Sequence, residues 1–460
     1  MRLPDRGPVL VWKQVDSSFD HQSADRRAGA PARRGDRVAA DGHEFQTMQV
    51  RNIAEQAPPT GAAAAAGVAA ELKSPFRLHI LQVLPSLAGG GVERGTIDVA
   101  AAVVKAGGKA TVVSAGGHMV RELERAGAKH IAMRVDSKNA VTMWRNVRPL
   151  AALIESAGVD LVHARSRAPA WSARAAARRG GVPFVTTFHG TYNFSNWFKK
   201  RYNAIMGSGD RVIAISEFIA DHVKTHYRVP ADRIEVIHRG VDLDIFAPQA
   251  VPVPRILAMA ERWRLPDGVP VLMLPGRLTR WKGQTVFLDA LARIGEAECM
   301  GVIVGGDQGR TSYREELEER IKALGLESRV RLVGDTNDMA AAFMLADIVV
   351  SASTDPEAFG RIVVEAQAMG RPVIASNHGA ASETVIEGVT GWLVTPGDPE
   401  ALATAIRNAL GISEEQRRAI AYAAENHARG KFAKDTMCAK TLALYQRVVA
   451  ERAQHGGQTR

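Results

Sequence analysis

The sequence predicts an α/β protein of two tandem domains, each a parallel sheet covered by helices on both faces. Three observations carry that prediction. At 460 residues the chain is long enough for two domains with complete hydrophobic cores. From Leu78 onward short apolar segments alternate with amphipathic ones, the pattern of repeated βα units. The alternation is interrupted once, near Pro248, and then resumes.

Residues 1–74 are expected to be a disordered extension. They are rich in Arg, Asp, Ala, Pro and Gly and carry a low-complexity stretch from Gly61 to Ala70, and Met48 within them is a candidate alternative start whose use intact mass would test. Residues 75–247 form the first domain, with strands expected at LHILQVL, ATVVS, VDLVHA, PFVTTF and RVIAIS, and helices at Thr96–Lys105 and Trp171–Arg179. The stretch IEVIHRGVDLDIFAP contains a Gly and ends in a Pro, and reads as a connection between domains. Residues 248–430 form the second domain, with strands at VLMLPG, GVIVGG, VRLVG, DIVVSAS, PVIAS and GWLV. Residues 431–460 complete the chain, with a helix over Phe432–Ala450. Nearly continuous apolar strands of this kind are buried on both faces, and ligands of such sheets bind outside the carboxyl ends of the strands.

Composition excludes several classes. A hydrophobic share of 46% and a charged share of 23% are those of an ordinary globular protein. Cys299 and Cys438 are too few for a disulfide framework and have no metal-ligand spacing, which points to a reducing cytosol. No apolar run approaches the roughly 18 residues needed to span a bilayer, and the N-terminus lacks the pattern of a signal peptide. The net charge of +10 suits a phosphorylated ligand or an anionic surface. No motif with interleaved aromatics accompanies it, so nucleic acid is not expected as a partner.

Two segments carry chemistry. Gly276-Arg277-Leu278-Thr279-Arg280-Trp281-Lys282-Gly283 follows the strand VLMLP and sets Arg277 and Lys282 at the top of a sheet, where a departing diphosphate would need compensating charge. Alone, the segment is equally compatible with a solvated basic turn. Asp355-Pro356-Glu357-Ala358-Phe359-Gly360-Arg361 follows DIVVSAS, and a helix is expected from Ile362 to Met369. Free amides around Phe359, Gly360 and Arg361 would form an anion site. Glu365 lies roughly 5 Å or more further along that helix, within reach of ribose hydroxyls, and Glu357 would meet the sugar. Two surface glutamates favoured by the helix dipole are the plain alternative.

The P-E-x-F-G-x-x-x-x-E pattern from Pro356 to Glu365, preceded by G-R-x-x-x-x-K-G from Gly276 to Gly283, resembles the signature of retaining glycosyltransferase family 4. The resemblance extends from about Leu78 to about Ala450 and implies the GT-B fold, two Rossmann-like domains facing across a cleft. It implies an acceptor domain at the N-terminal side, a nucleotide-sugar donor domain after it, and a C-terminal helix crossing back onto the first. It assigns Arg277 and Lys282 to the donor diphosphate, Glu365 to the ribose and Glu357 to the sugar, with Gly276, Phe359 and Gly360 lining the donor. Gly89-Gly90-Gly91 resembles the family's glycine loop facing the donor phosphate, and His189, after PFVTTF, its histidine beside the reacting sugar. As a dinucleotide fingerprint the glycine loop fails, since Arg94 stands where the last glycine belongs. Asn377 and Ala380 depart from the family's D-x-G-G loop, which therefore receives no role.

The resemblance further implies transfer of a hexose-like unit to an acceptor hydroxyl with retention, without a metal or other cofactor. Asp242-Leu243-Asp244 has the form of a metal-binding D-x-D but belongs to the connecting segment, so no metal is expected there. The expected acceptor is a saccharide or a lipid-linked one, as in lipopolysaccharide or polysaccharide synthesis. Trp197, Phe198, Lys199, Lys200 and Arg201 combine aromatics with cations, which suits a peripheral contact with an anionic membrane, a phosphorylated acceptor, or an ordinary half-buried helix. The expected location is cytoplasmic, with the inner membrane's cytoplasmic face as its peripheral site. Three other readings share the fold's parts: a sugar-nucleotide epimerase, which would need no acceptor; an NAD-dependent oxidoreductase, against which the incomplete fingerprint counts; and a silent binding subunit.

Overall fold

The computed structural model describes residues 76–192, 195–295, 299–309 and 311–457. The expected N-terminal extension and Met48 lie outside them. In the first domain β1 (His79–Val83), α1 (Gly91–Lys105), β2 (Lys109–Ser114), α2 (Val120–Arg125), β3 (Lys129–Ala132), α3 (Ala140–Ala157) and β4 (Leu161–Ala164) follow in turn. Then come α4 (Arg167–Gly180), β5 (Phe184–Phe188), α5 (Trp197–Asn203), β6 (Arg211–Ala214), α6 (Glu217–Tyr227) and β7 (Ile234–Val236). All seven strands pair in parallel, in the order β3-β2-β1-β4-β5-β6-β7. Every residue of β1, β4 and β5 is buried, as expected of central strands with helices on both faces.

The second domain begins with α7 (Val253–Trp263), β8 (Val271–Pro275), α8 (Gln284–Ile294), β9 (Met300–Val304), α9 (Thr311–Ala323), β10 (Val330–Gly334) and α10 (Met339–Leu345). It continues with β11 (Ile348–Ser351), α11 (Arg361–Ala368), β12 (Val373–Ser376), α12 (Ala381–Thr384), β13 (Gly391–Val394) and α13 (Pro399–Leu410). Its sheet is parallel with the order β10-β9-β8-β11-β12-β13. Strand order reverses direction between β1 and β4 in the first sheet and between β8 and β11 in the second. Those are the crevices where an open α/β sheet receives a ligand.

Two strands differ from the sequence expectation. Ile234–Val236 is β7, the edge of the first sheet, although IEVIHRGVDLDIFAP reads as connection. β3, at the opposite edge, has no expected counterpart either. Both are only partly buried, so neither has the apolar run that marks a central strand.

Two further helices close the chain, α14 (Glu414–Phe432) and α15 (Lys434–Gly457). Ser413 caps α14 in a reciprocal capping box with Gln416. At Ala433 the backbone leaves the helical conformation and bridges Val241: Val241 N donates to Phe432 O (2.7 Å) and Lys434 N to Val241 O (2.9 Å). From there α15 lies against α1 of the first domain, burying Leu442, Leu444, Tyr445 and Val448 in the core beneath β1 and β2. One apolar core is continuous between the domains, joining Ile215 and Ile219 of the first to Phe359, Val364 and Ala368 of the second through Ala428 and Phe432 of α14.

Candidate active site

The basic and acidic segments meet at the switch point of the second sheet. The first leaves the buried end of β8 at Gly276 and passes a single 3-10 turn at Arg280–Lys282. Gly283 then turns with φ 71° and starts α8. A Cβ on Gly283 would stand 1.8 Å from Ala352 O, so this loop can lie against the end of β11 only with glycine there. The second segment leaves β11, and Gly360, at φ 80°, starts α11 without a side-chain cap. Val363 N donates to Gly360 O at 3.0 Å, while the amides of Arg361 and Ile362 have no acceptor among the described residues and can meet an anion.

Lys282 and Glu357, 75 residues apart in sequence, form an ion pair in which both side chains are largely buried. Glu357 also accepts from Ser353 Oγ at 2.7 Å, and Lys282 Nζ lies 4.5 Å from the centre of the Trp281 ring. Arg277 is exposed and forms no ion pair among the described residues; its carbonyl accepts from Gln284 Nε2 at 2.9 Å. Glu365 is 7% exposed and accepts from Arg361 Nε (3.1 Å) and Nη2 (2.6 Å). Burial raises its carboxyl above the ordinary range, partly offset by that guanidinium.

Across the cleft lies the first domain's contribution. Gly89 and Gly90 are exposed at φ 119° and 132°, and Gly91 opens α1. His189 follows β5, and its Nδ1 lies 2.8 Å from Arg239 Nη2. A guanidinium can only donate, so Nδ1 is the acceptor and the imidazole proton resides on Nε2. Burial, and then the Arg239 charge, hold His189 well below the usual imidazole range, so it stays neutral. Its Nε2 is buried and has no partner among the described residues.

Sequence reasoning missed four residues here. Arg239 also donates to Gly91 O at 2.5 Å, which ties the glycine loop to His189. Because β7 was not recognised, Arg239 could not be placed just beyond a strand end. Arg165 follows β4 and is 5% exposed in the same cavity; the strand-end argument used for His189 would have found it. His163 links α15 to the site, with Nδ1 2.6 Å from Tyr445 Oη and Nε2 2.7 Å from Thr187 Oγ1. Glu383 lies in α12, directly after the loop given no role. Its carboxylate accepts from the backbone amides of Glu217 and Phe218, both at 2.8 Å, at the start of α6 in the other domain, and lies 3.0 Å from His238 Nε2. No family-independent signal marks it.

Asp242 of the D-x-D segment is paired with Lys434 at 2.6 Å. Among the described residues no group of three or more His, Cys, Asp or Glu is arranged to hold a metal ion, and no helix is long and apolar enough to cross a membrane.

The arrangement has counterparts. Residues 89–245 match the family model Glycosyltransferase Family 4, and residues 257–427 match Glycosyl transferases group 1. The D-inositol 3-phosphate glycosyltransferase of Xylanimonas cellulosilytica is 30% identical over 311 residues, 64% of this chain and 73% of that protein. A glycosyltransferase from Rickettsia africae has a similar structure, with a TM-score of 0.77 and 37% identity over 81% of this chain and 99% of that one. HepE of Anabaena, solved with UDP and glucose, gives 0.70 and 26% over 81% and 100%. Two parallel-sheet domains meeting at their switch points, with these matches over both, establish that the chain belongs to the GT-B glycosyltransferases of the glycosyl transferases group 1 family.

Proposed function

We propose that the protein transfers a sugar from a nucleotide diphosphate to an acceptor hydroxyl with retention of anomeric configuration, and without a metal. The observation that carries this is the meeting of Lys282 and Glu357 beside the uncapped start of α11. Lys282, Arg277 and the amides of Phe359, Gly360 and Arg361 would hold the diphosphate. Glu365 would bind the ribose once Arg361 turns to the phosphates, and Glu357 the sugar. Gly276 and the Gly89–Gly91 loop give the close backbone approach that a diphosphate needs. His189, with its proton on Nε2, acts as a hydrogen-bond donor to the sugar and not as a base. HepE, solved with UDP and glucose, supports a uridine nucleotide as the first donor to try.

In this reading the bond from the anomeric carbon to the diphosphate oxygen breaks and the acceptor oxygen bonds on the same face. The acceptor's proton passes to the departing phosphate oxygen. Negative charge on that oxygen peaks in the transition state, where fixed cations and amides act most strongly. Lys282→Ala should therefore lower acceptor-dependent nucleotide release by about a hundredfold or more. Near-normal release would overturn the assignment, acceptor-independent release would favour the epimerase, and the anomer seen by NMR tests retention.

The acceptor is a saccharide, lipid-linked or phosphorylated polyol. Envelope polysaccharide and lipopolysaccharide precursors are the first class to screen, and D-inositol 3-phosphate, named for the relatives, the second. Peripheral attachment to an anionic membrane fits the surface around α5, where Trp197 and Phe198 are 64% and 76% exposed beside Lys199, Lys200 and Arg201. Tyr202 of α5 stacks on Trp171 of α4 at 6.4 Å, and the neighbouring Ser172 donates to Met143 O of α3. Flotation with anionic vesicles should fall when Lys199, Lys200 and Arg201 are changed to Glu; equal flotation would remove the membrane from the proposal.

A further inference from the structure

One cavity in the cleft holds more positive charge than its neighbours balance. Arg165 and Arg239 both line it, and neither forms an ion pair among the described residues. Arg165 spends only Nε on the protein, donating to Thr96 Oγ1 at 3.1 Å; its two Nη groups have no acceptor among the described residues. Arg239 spends Nη1 and Nη2 on Gly91 O and His189. The other guanidiniums at the cavity are occupied, Arg94 with Glu122 and Arg361 with Glu365. Asp98 is the single carboxylate lining it.

The room for the two guanidiniums is built into α1. A Cβ on Gly91 would lie 2.5 Å from Arg239 Nη1, and one on Gly95 would lie 3.3 Å from Arg165 Nη2. Residues four apart share a helix face, so Gly91 and Gly95 form one bed for both side chains. Burying two unpaired cations side by side is costly unless an anion joins them. Burial, then the charges of Arg361 and Arg165, bring Arg239 down to about 9, a measure of that conflict.

We infer that Arg165 and Arg239, bedded on Gly91 and Gly95, form a phosphate site on the first domain's side of the cleft, which takes a phosphate borne by the acceptor. The inference rests on the transferase reading only for its choice of acceptor over donor. The forked donors of arginine suit a phosphate's paired oxygens. Arg277 and Lys282 stand on the opposite side, where the donor diphosphate is expected, and leave this pair for a second anion.

Titration calorimetry with inorganic phosphate and with D-inositol 3-phosphate as probes, each with and without saturating UDP, tests this on the full chain. Wild type should bind both probes with UDP present. Arg239→Gln should weaken them at least tenfold while UDP affinity stays within about twofold. Gly95→Ala, which crowds Arg165 without removing a charge, is the second variant and should weaken the probes several-fold with its circular dichroism unchanged. Probe binding unaffected by both variants overturns the site. UDP binding lost in step with the probes moves the pair to the donor diphosphate and overturns the acceptor assignment. Wild type that binds phosphate through Arg239 but no UDP keeps the anion site and overturns the transferase reading instead.

Discussion

Glu383 offers the sharpest quantitative test of how the two domains are held together. It belongs to the second domain, yet its two oxygens receive the first two amides of α6 in the first domain, both at 2.8 Å, and lie beside His238. Those amides have no intrahelical acceptor, and a carboxylate at a helix start also gains from the helix dipole. A hydrogen bond to a charged group contributes about 1.5–3 kcal/mol net, but opening the cleft lets water replace part of it. Glu383→Ala should therefore cost the closed arrangement about 2–4 kcal/mol. Hydrogen exchange reads this directly: protection of the Glu217 and Phe218 amides, corrected for intrinsic rates, should fall by about thirtyfold to a thousandfold. Burial alone would raise the Glu383 carboxyl, but bonds from His238 and the two amides outweigh it and hold it below the usual range. Its stabilising contribution is thus present above the unfolded glutamate pKa and is lost as pH falls through the lower folded value. In wild type the same two amides should lose protection as the solution is acidified, and in Glu383→Gln that step should be absent. Unchanged protection in Glu383→Ala would refute the clasp.

Two further perturbations follow from the same region. Burial raises Asp98 to about 6 against the charges of Arg94 and Lys434, with Asp242 adding to the rise and Arg361 opposing it. Between the unfolded pKa of 3.8 and about 6 the native state binds the extra proton, so stability falls as pH rises, by up to about 3 kcal/mol. Asp98→Asn should melt several degrees above wild type at pH 7.5 and together with it near pH 4; equal melting at both would refute the shift. Gly283→Ala meets both a left-handed φ and the Ala352 carbonyl, and should cost about 2–4 kcal/mol. Displacing Lys282 should also cut nucleotide release at least tenfold; a variant with wild-type melting and release would show that the loop tolerates a Cβ.

The central strands were legible because burial on both faces writes itself as continuous apolar runs, as in HILQV and VLMLP. Edge strands β3 and β7 were not, since they are only three or four residues long, partly buried, and interrupted by charged or polar side chains. The basic and acidic segments were legible as motifs, each set by a glycine at a strand end. Their pairing was not, because nothing local to Lys282 reports that Glu357, 75 residues on, will sit against it. Arg165 illustrates a second limit. An arginine after a strand is unremarkable in sequence; its meaning comes from the missing Cβ of Gly95 and the lack of an ion-paired carboxylate among the described residues, both properties of the folded cavity. Glu383 had a visible motif context, but the departures at Asn377 and Ala380 hid it. Ala380 N donates to Glu357 O at 2.9 Å, so the loop lies against the acidic segment.

The charges on the two sides of the cleft explain why such a clasp is needed. Arg361 of the second domain lies close enough to Arg239 of the first to be the main charge acting on it, and Arg165 adds to the repulsion. Against this stand Glu383 on α6, the bond from Ser216 Oγ to Ala358 O at 2.7 Å, and the apolar contact of Phe359 with Phe432 at 5.5 Å between ring centroids. Of these three only the last uses a residue assigned to the donor, Phe359, and it does so through its ring, which leaves the backbone amide for the phosphates. An anionic ligand entering between Arg239 and Arg361 changes the sign of the interaction across the cleft, because each guanidinium then attracts the ligand held by the other. α15 reaches the same cleft through Tyr445, His163 and Thr187, so the end of the chain is tied to the first domain beside the strand that carries His189.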